Sequence, residues 1–218
     1  MGYWKFEETS GTLYDSSGNG KNGISYGGIT YGVSGKVGSA LGFDGIDDYI
    51  NAGSVGDFSS TDSFSTSFWF KKTGTFGNYE RFLSTSDGSS PYFGWHMQVA
   101  DDGANKRFNL SSGFFAKNRN DINANTYCDG NWHHVVMTFV GHGGSASADV
   151  NFYLDGLGPG TYTNLNPNCY PRMPSNHPLL IGTRELENAW FNGTMDEVAI
   201  YNRVLSASEI LDIYDNQK

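Results

Sequence analysis

FNGTMDEVAIYNRVLSASEI, running from Phe191 to Ile210, is the stretch whose reading decides the fold. Its first half alternates with the two-residue period of a strand: Val198 and Ile200 share a face with Asp196, while Met195, Ala199 and Tyr201 share one with Glu197. Whichever face turns inward, a carboxylate sits among apolar neighbours, and a buried charge must be paired, hydrogen-bonded or metal-bound. Asp196 is the residue expected to meet that demand, and Glu197 is expected to project to the opposite face. The second half opens a helix: Ser206 is a cap, Glu209 completes a capping box, and Ile210, Ile213 and Tyr214 fall on one side. A short helix of this kind is expected to pack onto the strands.

Working outward, Trp4-Lys5-Phe6-Glu7-Glu8 leads into DSSGNGKNG (Asp15 to Gly23), an oxygen-rich turn. Gly18, Gly20 and Gly23 match a dinucleotide fingerprint by letter, but that motif needs a helix to open at its end, and Ile24-Ser25-Tyr26-Gly27-Gly28 is no helix start. The glycines are read as turn formers.

Alternation marks further strands. In Ser63 to Lys71, Phe64, Thr66, Phe68 and Phe70 lie on one face and Ser65, Ser67 and Trp69 on the other. Phe93, Trp95, Met97 and Val99 align opposite Gly94, His96 and Gln98; Trp132 to Val140 is apolar on both faces; Val150, Phe152 and Leu154 line another strand. One strand buried on both faces and several on one describe two packed antiparallel sheets. Asp101-Asp102-Gly103, His142-Gly143-Gly144 and Asp155-Gly156 are turns, and Leu157 to Pro178 is a long connection.

With GKVGSALGFDGIDDYINAG (Gly35 to Gly53), GNWHHVVMTFV (Gly130 to Val140) and NFYLDG (Asn151 to Gly156), these segments resemble, in order and over nearly the whole chain, the laminin-G-like branch of the concanavalin A-like lectin/glucanase superfamily. The resemblance implies an all-β jelly-roll sandwich of two antiparallel sheets, about six or seven strands each, with a short C-terminal helix. Residues 1–218 are expected to form one domain, cut from a larger extracellular protein. By the same resemblance, a structural Ca²⁺ is expected on Asp15, Asn19, Asn22 and Asp196. The alternative is that these side chains bond only to backbone amides. Asp44, Asp47 and Asp48 form a second acidic cluster, read as a turn entering a strand.

Composition narrows the function. Twenty-nine glycines, 15% aromatic and only 17% charged residues suit short strands joined by tight turns. A net charge of −9 disfavours nucleic acid, whose binding rests on Lys and Arg, and anionic membranes. No apolar run is long enough for insertion into a membrane. Cys128 and Cys169 are too few for a disulfide framework or a four-sulfur zinc site; both lie in polar stretches, and a bridge between them is one expectation, free thiols the other.

Glycoside hydrolysis needs two carboxylates across one bond. The superfamily's glucanases share a Glu-x-Asp-x-x-Glu strand, which is absent here, as are the Arg-x-Glu and Gln-Ile-His patterns of jelly-roll alginate lyases. His133 and His134 alternate faces and cannot chelate one metal; one is expected in the core, the other exposed. The expectation is therefore a module without enzymatic activity that recognises a poly- or oligosaccharide at a cell, virion or secreted-protein surface. The alternative is a protein–protein adhesion domain, with a polysaccharide hydrolase or lyase third. Sugars are held by flat aromatic faces and planar polar groups, so Trp190, Arg184, Tyr79, Arg119, Asn188 and Tyr170 are the candidate ligand residues, with Phe76 and Arg81 beside them.

Overall fold

The computed structural model describes residues 1–86, 93–101, 103, 105–112, 115–119, 121–141, 149–160, 162–164, 176–184 and 189–217. In chain order the strands are β1 (Gly2–Trp4), β2 (Thr12–Leu13), β3 (Gly23–Tyr26), β4 (Thr30–Ser34), β5 (Ser39–Asp44), β6 (Tyr49–Asn51), β7 (Phe64–Thr73), β8 (Arg81–Ser84), β9 (His96–Asp101), β10 (Lys106–Ser112), β11 (Phe115–Arg119), β12 (Asp129–Val140), β13 (Asp149–Leu154), β14 (Tyr162–Asn164), β15 (Leu180–Ile181) and β16 (Asn192–Tyr201). One α-helix follows, α1 (Ala207–Gln217), and a short 3-10 turn spans Ala124–Tyr127.

The strands form two antiparallel sheets, as the alternation implied. One has the order β13-β12-β7-β16-β5-β4, with β1 added against β16; the other runs β14-β11-β10-β9-β8-β15-β6-β3-β2. The second sheet has nine strands, more than expected, because β2 and β15 are two-residue pairings and β14 spans three residues. Pieces that short carry no periodicity to read.

Between the sheets lies one large apolar core, with Phe64, Phe68 and Phe70 from β7 facing Trp95, Met97 and Val99 of the second sheet. Phe76, set beside the candidate ligand residues from the sequence, instead belongs to this core, packed against Phe70 and Phe82. β7 is buried on its other face too, because α1 lies over it. Tyr214 stacks on Trp69 with ring centroids 5.4 Å apart, and the Trp69 indole N–H donates to Gln217 Oε1 at 2.7 Å. Val136, Tyr153, Leu205 and Ile210 form a smaller second core on this side. The expected capping box is present: Ser206 N donates to Glu209 Oε2 at 2.8 Å and Glu209 N to Ser206 Oγ at 3.3 Å.

The two ends of the chain meet. Gly2, Tyr3 and Trp4 pair with Ile200, Ala199 and Val198. Trp4 is fully buried, worth about 1.5–3 kcal/mol for a large apolar side chain, and its indole N–H donates to the Lys21 carbonyl at 2.8 Å. That bond ties the first strand to the glycine-rich turn that follows it.

Candidate functional site

Asp196 is wholly buried, as the sequence required. Its partners come from an unexpected place: Oδ2 accepts the Lys36 and Val37 amides at 2.8 and 3.0 Å, and Oδ1 accepts the Glu197 amide at 2.8 Å. Gly35 is required beside it, since a Cβ there would lie 2.8 Å from Asp196 Oδ2 and 2.6 Å from the Ser39 carbonyl. Burial pushes the Asp196 carboxyl up to about 7, against the pull of those amides.

Glu197 corrects the expected alternation. The register between β16 and β7 slips by one residue between Asp196 and Ala199, and Glu197 adopts φ 54°, the left-handed region. Met195, Val198 and Ile200 all reach the core, while Asp196, opposite Trp69, and Glu197, bonded to Gln217 of α1, both leave the core side. The two adjacent carboxylates therefore do not sit on opposite faces: a bulge consumes one residue of the period.

In the first turn, Asp15 Oδ1 accepts the Tyr3 and Ser17 amides at 2.9 and 2.8 Å, and Oδ2 accepts the Lys21 amide at 2.9 Å. Asn22 Oδ1 accepts the Asp15 amide at 2.9 Å, and Asn19 Nδ2 donates to Ser17 Oγ at 2.9 Å. Burial raises the Asp15 pKa, but the hydrogen bonds from Ser17, Lys21 and Tyr3 outweigh it and hold the carboxyl down at about 2. Backbone amides thus supply the positive partners for Asp15, and amides of a different turn supply those for Asp196. Asp48 likewise is buried and accepts the Asp44 amide at 2.8 Å, which is the turn-into-strand role read for that cluster; Asp44 and Asp47 beside it are exposed.

His133 and His134 do point apart. His134 is buried, with Nε2 2.8 Å from Ser67 Oγ, and burial brings its pKa down to about 4. His133, expected to be exposed, is instead gripped by Asp155 at 2.9 Å and Asp129 at 3.1 Å. Cys128 is a buried free thiol in the main core; Cys169 lies outside the described residues.

The outer face of the nine-stranded sheet gathers Trp190, Arg184 and Tyr79 of the expected ligand residues. Opposed residues in antiparallel strands share a face. Arg81, Gln98, Asn109 and Asn118 stand opposite one another across β8, β9, β10 and β11, and because Met97, Val99, Phe108 and Leu110 fill the core, this row points away from it. The amides interlock: Gln98 Nε2 donates to Asn109 Oδ1 at 2.8 Å, and Asn109 Nδ2 to Asn118 Oδ1 at 2.6 Å. Among the described residues, Gln98 Oε1 is buried without a hydrogen-bond partner. His96, one row along, lies 3.4 Å from Arg184 NH1; burial and the charges of Arg81 and Arg184 keep it neutral.

The same face continues onto β6 and β3, where it opens and turns aromatic. Tyr26 and Tyr49 are cross-strand partners with rings stacked 4.7 Å apart and 8° from parallel, and Trp190 lies 6.0 Å from Tyr49. Ile24 and Tyr26 are exposed there. Tyr79 sits at the edge of the polar half, its ring 5.6 Å from the Arg81 guanidinium carbon.

Trp190, Arg184 and Tyr79 therefore belong to one face. Arg119 does not. Being one residue past outward-facing Asn118, it turns to the other side, where NH1 donates to the Phe152 carbonyl at 2.8 Å and Nε pairs with Asp121 at 3.0 Å. Tyr170 and Asn188 lie outside the described residues. Gln98, Asn109, Asn118, Tyr26 and Tyr49 were missed as ligand candidates. Each sits in an unremarkable alternating segment, and only strand order sets them side by side.

Solved structures share this architecture. Domain 4 of AbnA, an extracellular arabinanase of Geobacillus stearothermophilus solved with arabinotriose, matches with TM-score 0.69 at 20% identity, over 98% of this chain and 97% of that one. The binding domain of Paraclostridial Mosquitocidal Protein 1 matches with TM-score 0.72 at 17% identity, over 99% of this chain and 51% of that one. A Trypanosoma rangeli sialidase matches with TM-score 0.64 at 16% identity, over 99% of this chain and 32% of that one. This chain thus spans about half of the second and a third of the last. At these identities the likeness speaks for the fold alone. A search of curated proteins finds no match. The family model described as the concanavalin A-like lectin/glucanases superfamily matches residues 44–211, most of the chain, and with the two-sheet jelly roll this places the protein in that superfamily, in its laminin-G-like branch.

Proposed function

We propose that this domain is a non-catalytic carbohydrate-binding module that takes a saccharide on the outer face of its nine-stranded sheet. The observation that carries the reading is the aromatic strip of exposed Tyr26 with half-buried Tyr49 and Trp190 on β3, β6 and the segment before β16, on the sheet face whose β8–β11 half carries the buried Gln98-Asn109-Asn118 amide row. Aromatic faces pack against the apolar side of a sugar ring, while planar amides and guanidinium groups meet its hydroxyls. A fold-mate that is a domain of an extracellular enzyme, solved with arabinotriose, supports a saccharide as ligand and an extracellular or surface setting.

Glycan-array screening followed by calorimetry tests the proposal. Saccharide-specific binding that falls at least about ten-fold in Trp190→Ala and in Tyr49→Ala supports it. Silence toward all glycans, together with capture of a protein partner, replaces it with the adhesion reading. Release of soluble product from a polysaccharide overturns the non-catalytic part.

A further inference from the structure

A cavity of about 300 Å³ opens on the outer side of the other sheet, between β16 and α1. Glu197 lies in its wall, 97% removed from solvent by being only 3% exposed, and its backbone is held in the left-handed region by the bulge. One carboxylate oxygen, Oε2, accepts the Tyr3 hydroxyl and, at 2.7 Å, the Gln217 side-chain amide. The other oxygen accepts no hydrogen bond from the described residues. The rings of Tyr3 and Tyr201 and the exposed carboxylate of Asp212 line the same space, and among the described residues no Lys, Arg or His does. The fold already draws a cation to its edge: Lys5 Nζ stands 5.8 Å from the centroid of the Tyr3 ring.

We infer that this cavity binds an alkylammonium group. Two carboxylates and two electron-rich rings form a site complementary to a positive charge on an apolar stem, and rings attract cations most where water is excluded. The spare Glu197 oxygen and Asp212 take the ammonium N–H groups, and the tyrosine rings take the adjoining methylenes. The group comes either from a free amine or from a lysine side chain. The inference is independent of the saccharide face on the opposite sheet.

Amide-resolved NMR titration of the whole chain tests it, with n-butylammonium chloride, n-butanol as the uncharged isostere, and Nα-acetyl-lysine amide. Saturable shifts at Tyr3, Ala199, Tyr201 and Gln217 are expected with butylammonium and none with butanol. Glu197→Gln weakens binding at least about ten-fold and Asp212→Asn about three-fold. Tighter binding of the lysine amide than of butylammonium assigns the site to a peptide lysine; equal or weaker binding assigns it to a free amine. Asp212 is solvent-exposed, so its variant keeps the test open should Glu197→Gln fail to fold. No saturable response to butylammonium, an equal response to butanol, or unchanged affinity in the variants overturns the inference.

Discussion

Asp196 and Val37 are 159 positions apart in sequence, yet Asp196 Oδ2 lies 3.0 Å from the Val37 amide nitrogen. That contact, with those to Lys36 and Glu197, satisfies a charge-bearing group buried on the side of its sheet away from the main core. Asp196→Ala leaves the buried Glu197 amide and the part-buried Lys36 and Val37 amides without this acceptor, the buried one costing about 1–3 kcal/mol, so a lower urea midpoint is expected. Gly35→Ala crowds the same carboxylate and is expected to cost about 1–3 kcal/mol.

The Asp196 carboxyl also predicts a pH dependence. Its folded pKa, pushed up to about 7 by burial, lies above its ordinary value of 3.8, so the native state holds a proton that the unfolded chain releases. The stability it contributes is fully present below about pH 4 and is lost as pH rises toward 7. The stability difference between wild type and Asp196→Asn therefore shrinks over that window. A difference constant with pH contradicts the assignment.

Asp15 acts in the opposite sense. Its folded pKa, held at about 2 by the amides of the turn, lies below the ordinary 3.8, so its contribution is present above about pH 4 and lost as pH falls toward 2. Asp15→Ala is expected to cost about 1–2 kcal/mol at neutral pH, discounted for the turn's partial exposure. Ca²⁺ on Asp15, Asn19, Asn22 and Asp196 is a separate proposal, decided by melting with Ca²⁺ against excess chelator. A concentration-dependent rise supports the ion, and equal midpoints leave the amides as the whole role of Asp15, Asn19 and Asn22.

Burial raises the Cys128 thiol to about 11, so little thiolate is available at neutral pH. The native protein is expected to leave Cys128 unmodified by iodoacetamide at pH 8 and to expose it on denaturation. Counting thiols in denatured, unreduced protein reads the bridge directly: two thiols mean that Cys128 and Cys169 are not joined.

Ser206→Ala removes the helix cap and is expected to cost about 1 kcal/mol. Because Tyr214 and Gln217 reach Trp69 from the same helix, the loss is also expected to change Trp69 fluorescence.

How far the sequence reaches differs by element. The phenylalanines of β7 and the apolar positions of β9, β12 and β13 follow a period of two over enough residues to be read, and Ser206 with Glu209 marks the helix start by local chemistry. The bulge at Glu197 breaks that period without any glycine or proline to announce it, so the orientation of Asp196 and Glu197 was misread. Phe76 stands in a turn-rich stretch that suits a ligand residue, yet the loop folds it inward among other phenylalanines.

By itself the sequence determined what each segment needs: which residues seek the core, that the carboxylate at 196 must find partners, and that the chain builds two antiparallel sheets. Only the tertiary structure decided who supplies those needs, setting the 36–37 amides on Asp196, and Tyr49 beside Trp190 while turning Arg119 away. The physical reason is that periodicity is a property of one strand, whereas register and strand order are chosen by packing among strands distant in the chain.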